Sequence, residues 1–79
     1  MSKPTRITNS IRALRFARGE MTQAELAERV GVTRQTIIAI EQGRYSPSLE
    51  MAFQIARVFR VALDEVFQYP DGEGRQSPA

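Results

Sequence analysis

The sequence predicts an all-α domain of five short helices. Apolar residues recur at spacings of three and four, while Ser, Thr and Gly stand where helices would start and stop. No stretch carries the apolar-polar alternation of a half-buried strand. A chain of 79 residues has room for one small core, burying about 60% of its unfolded surface.

The first helix is predicted over 8–18, with Ile11 and Leu14 three apart, Ile7 one turn earlier, and Thr8 or Asn9 as N-cap. Thr22-Gln23-Ala24-Glu25 then reads as a capping box, the Thr hydroxyl and the Glu carboxylate each satisfying an orphan backbone donor. It opens a second helix carrying Leu26, Ala27 and Val30 and stopped by Gly31. After Val32, Thr33 caps a third helix, Arg34 to Gln42, which closes at Gly43. Arg44-Tyr45-Ser46-Pro47 form a loop, and Ser48 caps the longest helix, Leu49 to Arg60. Leu63, Val66 and Phe67 mark a short fifth helix that must end before Pro70. Residues 1–7 are expected to form a basic arm, 8–69 the folded domain, and 70–79 a flexible tail with almost nothing apolar to anchor it.

Composition narrows the function classes. The chain is 42% hydrophobic and 25% charged, values of a soluble folded domain. It has no Cys and no His, which excludes disulfides and the common zinc sites, and no cofactor is expected. No segment reaches the roughly 18 apolar residues of a membrane span, and residues 1–6 have no apolar signal core, so a cytoplasmic protein is expected. Without His or Cys, and with its acids scattered and no Gly-rich phosphate loop, the chain is not expected to be an enzyme. The net charge of +2 is unevenly distributed. Lys3, Arg6, Arg12, Arg15 and Arg18 give the first 18 residues +5, the stretch 19–60 is neutral, and Arg75 against Asp64, Glu65, Asp71 and Glu73 leaves the end at −3. Ten of the eleven basic residues are Arg, whose planar fork donates in pairs to phosphates and base edges.

Two short helices joined by a Gly-containing turn make a helix-turn-helix, in which the second helix can enter a major groove. At about 100° per residue, Thr33, Ile37 and Ile40 share the core side of the third helix, with Thr36 at its edge. Arg34, Gln35, Ile38, Ala39 and Gln42 face away. Arg and Gln are the types that pair bidentately with guanine and adenine. Ile38 on that face suits a thymine methyl or a second subunit. Base reading is therefore assigned to Arg34, Gln35, Ile38 and Ala39. Backbone contacts are assigned to Thr22, Gln23, Thr33, Thr36, Arg44 and Tyr45, which stand at helix starts or directly after the third helix. Thr22 and Thr33 also serve as plain caps, and Tyr45 as a cover for the core.

Thr22-Gln23-Ala24-Glu25-Leu26-Ala27, Val30-Gly31-Val32-Thr33-Arg34-Gln35-Thr36-Ile37, Ile40-Glu41-Gln42-Gly43 and Pro47-Ser48-Leu49 resemble the Cro/repressor (XRE) helix-turn-helix family, in particular its short single-domain members. The resemblance spans 8–69. It implies a five-helix lambda-repressor-like domain that binds operator DNA as a dimer. It also implies Gln23 at a phosphate while supporting the reading helix, Arg34 and Gln35 at base edges, and an ion pair between Arg15 and Glu41. Glu20 is an extra residue in the turn before the second helix, Ala39 stands where the family often has a polar base reader, and Ala62 replaces a hydroxyl cap. The expected function is that of a homodimeric transcriptional repressor on an inverted-repeat operator in double-stranded DNA, with no small-molecule effector. The alternative is an antitoxin or adaptor that grips another protein. Helix four bears on this choice. Its apolar arc of about 220° suits either the central helix of a bundle or, with Phe67 and Tyr69, a dimer surface.

Overall fold

The computed structural model describes residues 5–70, so most of the expected arm and all of the tail beyond Pro70 lie outside the described residues. The elements run β1 (Thr8–Asn9), α1 (Ile11–Ala17), α2 (Gln23–Val30), α3 (Arg34–Glu41), α4 (Leu49–Phe59), α5 (Leu63–Val66) and β2 (Phe67–Gln68). α2 packs on α3 and on α4, and α4 carries α5. No helix among the described residues is long and apolar enough to cross a membrane.

Local chemistry explains the starts of the three middle helices. Thr22, Thr33 and Ser48 each have extended backbone, and each hydroxyl accepts the N–H three residues on, from Glu25 at 2.9 Å, Thr36 at 3.1 Å and Met51 at 3.1 Å. Such caps contribute about 1 kcal/mol each. Gly31 stops α2 in the left-handed region at φ 88°, where a β-carbon would be strained. Its N–H and that of Val32 both reach back to the Ala27 carbonyl, at 2.8 and 3.0 Å. α4 ends the same way without a glycine, on Arg60 at φ 60°.

Four expectations change. Thr8 and Asn9 do not begin α1 but form a strand, antiparallel to β2 with Thr8 opposite Gln68 and Asn9 opposite Phe67. The domain is thus mostly, not wholly, helical, and Ser10 takes the cap position with no side-chain bond. Asn9 is diverted to longer-range work: its Oδ1 accepts the Ile11 N–H at 3.2 Å while its Nδ2 donates to the Ile40 carbonyl at 3.0 Å. Phe67 leaves the fifth helix for the ribbon, with extended backbone at φ −122°, ψ 137°. Its apolar ring meets the core edge from either conformation, so spacing alone did not separate them. Only half of each expected or possible capping box forms. Glu25 turns from Thr22 to pair with Arg29 at 3.0 Å, and at α5 Glu65 accepts the Ala62 N–H while the Ala62 methyl accepts nothing. Finally, α1, α3 and α4 stop at Ala17, Glu41 and Phe59, each one residue earlier than expected.

All five helices feed one core. Ile11 of α1, Leu26, Ala27 and Val30 of α2, Ile37 and Ile40 of α3, Ile55, Ala56 and Phe59 of α4 and Val66 of α5 cluster with Met21 from the first turn. The apolar arc of α4 divides: Ala52, Ile55, Ala56 and Phe59 are buried, but Leu49 and Phe53 stay 67% and 51% exposed. They stand one turn apart, and Leu49 borders a mostly apolar cleft of about 570 Å³ lined also by Ile7, Pro47, Ala52, Leu63, Phe67 and one acid, Asp64.

A β-carbon at Gly31 would meet no atom within 4 Å, so the backbone alone penalises it. Gly31→Ala is expected to destabilise the domain by about 1–2 kcal/mol, read as a lower urea midpoint with an unchanged slope.

Candidate nucleic-acid interface

The site is organised by a buried cation. Arg15 on α1 is 7% exposed, and its Nε and Nη2 donate to the two carboxylate oxygens of Glu41 on α3 at 2.8 and 3.3 Å. Its Nη1 donates to the Met21 carbonyl at 2.8 Å. Gln23, the first residue of α2, donates from Nε2 to Glu41 Oε1 at 3.1 Å. One carboxylate therefore joins α1, the turn and the starts and ends of the helix-turn-helix. The extra turn residue, Glu20, does not keep this pair from forming. The added residue is absorbed because Gly19 and Glu20 both adopt positive φ, 77° and 59°, which folds the turn back and brings the Met21 N–H to the Arg15 carbonyl at 2.9 Å.

Above this network lies an open polar cleft of about 490 Å³, walled by Arg12 and Phe16 from α1, Glu20 from the turn, Thr22 and Gln23 at the start of α2, and Arg34 at the start of α3. Thr22 spends an oxygen lone pair on its cap, which leaves the hydroxyl proton to donate, and Gln23 keeps one amide proton. With Glu41 neutralised by Arg15, the charges left at the cleft are Arg12 and Arg34 against Glu20.

The ten residues singled out in the sequence fall into four groups. Thr22, Gln23 and Arg34 share the cleft. Gln35 is exposed on α3, whereas Ile38 and Ala39 are half-buried and thus less bare than helical angle alone implied. The Thr33 and Thr36 hydroxyls are 3.0 Å apart and bond each other at the α3 start. Arg44 and Tyr45 stand exposed beyond the other end of α3, away from the cleft. Arg12 and Phe16, which complete the α1 wall, escaped the sequence reading. Their signal was a basic and an aromatic residue one turn apart on the outer face of a basic helix.

A family model described as helix-turn-helix matches residues 11–66, from the first residue of α1 to the last of α5. The chain belongs to the Cro/repressor (XRE) type helix-turn-helix family. It is similar to an uncharacterized HTH-type transcriptional regulator of Methanocaldococcus jannaschii, 55% identical over 53 residues that make up 67% of this chain and 80% of that one. It is also 36% identical over 59 residues to the cryptic phage CTXphi transcriptional repressor RstR of Vibrio cholerae, covering 75% of this chain and 52% of the repressor. Among solved structures, the hypothetical transcription factor NHTF from Neisseria superposes with a TM-score of 0.66 at 28% identity, over 77% of this chain and 69% of that one. β1 and β2 lie just outside the residues that the family model matches.

Cutting one side of the buried pair strands a charge out of water, which costs about 3–5 kcal/mol. Glu41→Ala is therefore expected to lower stability by that order, while Arg15→Met with Glu41→Leu recovers most of it. Urea titrations of the single and double variants check this. A double variant no more stable than Glu41→Ala would count against it.

Proposed function

We propose that this protein is a sequence-specific DNA-binding transcriptional regulator, a repressor that binds an inverted-repeat operator as a homodimer. The observation that carries the reading is the placement of α3. The network of Arg15, Glu41 and Gln23 holds its last residue, its outward face offers Arg34 and Gln35, and its start shares a cleft with donors at the start of α2. Arg34, Gln35, Ile38 and Ala39 read base edges in the major groove. Thr22, Gln23, Thr33, Thr36, Arg44 and Tyr45 contact the sugar-phosphate backbone and set the register. Family membership supports duplex DNA as the ligand.

The dimer surface is supplied by the apolar cleft beside α4 and by Leu49 and Phe53, which a monomer leaves in water. The same exposed side chains favour a second reading, in which another protein is gripped there, as in an antitoxin or adaptor. The two readings separate in solution, since the first requires self-association and the second a different chain.

Selection of bound duplexes from a random pool tests the main reading. It is expected to return two inverted half-sites about 34 Å apart, one helical turn. A pool that stays no tighter than scrambled duplex excludes it. Gln35→Ala is expected to relax preference at one base position, costing about 1–3 kcal/mol there, whereas Arg44→Ala weakens all sequences alike. Equal losses on selected and random DNA for both variants would refute these roles. Sedimentation is expected to show a species of twice the 8.9 kDa chain mass. Monomer alone at high micromolar concentration, with and without operator, removes the dimer.

A further inference from the structure

We propose that Arg12, held against the ring of Phe16, is a further contact to the DNA backbone, so that the interface takes in α1 as well as the helix-turn-helix. The inference rests on the DNA-binding reading above and concerns two residues that reading leaves without a role. Phe16 is 53% exposed on the wall of the cleft, so about half of its ring surface stays in water. What it does have is cations. The Arg12 guanidinium carbon lies 5.4 Å from the ring centroid and that of Arg15 lies at 5.7 Å. The Arg15 donors are committed to Glu41 and Met21. Among the described residues, no hydrogen bond or ion pair engages the Arg12 guanidinium, so its donors stay open to the cleft.

A long arginine side chain loses rotamer freedom when it binds, and that loss subtracts from affinity. A face-on aromatic one turn away restricts the side chain beforehand and attracts its charge, while leaving the edge of the planar fork free to donate. The ligand that fits is a phosphodiester. It carries the single negative charge that Arg12 and Arg34 call for across the cleft, and the adjacent Thr22 and Gln23 protons add neutral donors. Glu20 at the same wall opposes it, which marks Arg12 as the cation that keeps α1 attractive to DNA.

The test is fluorescence anisotropy of the selected duplex and a scrambled one over a salt series. Wild type, Arg12→Ala, Phe16→Leu and Arg44→Ala are compared, with thermal melts to confirm that each folds. Arg12→Ala is expected to weaken both duplexes by the same factor, roughly tenfold at low salt, and to reduce the salt slope by about 0.9. Phe16→Leu keeps every charge, so it is expected to weaken binding about two- to fivefold with the slope unchanged. A folded Arg12→Ala variant with the wild-type slope overturns the phosphate contact, and a Phe16→Leu variant with wild-type affinity overturns the positioning role. If wild type itself does not bind DNA, the functional reading fails. If wild type binds and Arg44→Ala behaves as expected while Arg12→Ala does not, only the present proposal fails. Millimolar inorganic phosphate at constant ionic strength is expected to leave binding unchanged.

Discussion

The fork of Arg15 meeting both oxygens of Glu41 is the constraint on which the arrangement of helices depends. Apolar packing alone would hold α1 over α3, but leucines and isoleucines tolerate small slides and rotations. Two parallel hydrogen bonds between planar groups do not. In water-poor surroundings each donor must also be matched, and Arg15 meets this by adding the Met21 carbonyl, which ties down the turn. Gln23 then takes a position on the same carboxylate from α2. Turn, α2 and α3 are thereby referenced to one side chain. This explains how the turn carries an extra residue, Glu20, without displacing the helices on either side.

What was legible in the sequence was what is local. Thr22, Thr33 and Ser48 each act within three residues of themselves, and Gly31 acts on its own backbone, so the middle of the chain could be read nearly to the residue. Helical angle placed Arg34 and Gln35 outward and Ile37 and Ile40 inward, but it put Thr33, which is exposed, on the core side and did not show that Ile38 and Ala39 are half-buried. The Arg15–Glu41 pair came from family resemblance and not from spacing, since nothing local links residues 26 apart. The ribbon was missed for the same reason. Two-residue strands have no periodicity to detect, Thr8 and Asn9 are types that also cap helices, and their partners lie some 60 residues away. The α1 wall of the cleft was missed because Arg12 and Phe16 acquire meaning only once α2 and α3 are set beside them.

The domain divides its surfaces by chemistry. One side gathers polar donors around the start of α3, and another leaves Leu49 and Phe53 exposed, with Leu49 beside a mostly apolar cleft. α4 serves both the core and that second surface. It is apolar over more of its circumference than the core can cover, and the remainder is left for something else to bury. A core built from one to three residues of each helix gives little excess stability to a small domain, so covering that face matters more here than in a larger protein.

The pairing of β1 with β2 has a consequence of a different kind. Thr8 and Asn9 close on Phe67 and Gln68, and the Ser10 N–H reaches the Val66 carbonyl at 2.8 Å, so two segments far apart in sequence clasp each other. Joining points so distant in sequence makes the domain a ring closed without a covalent bond, whose closure entropy grows only with the logarithm of its length. Loosening either end opens the ring and frees the other. Through Asn9, whose amide holds the Ile40 carbonyl, opening also releases the far end of α3. Residues 8 and 68 thus stand side by side at one seam, tied through Asn9 to the far end of α3.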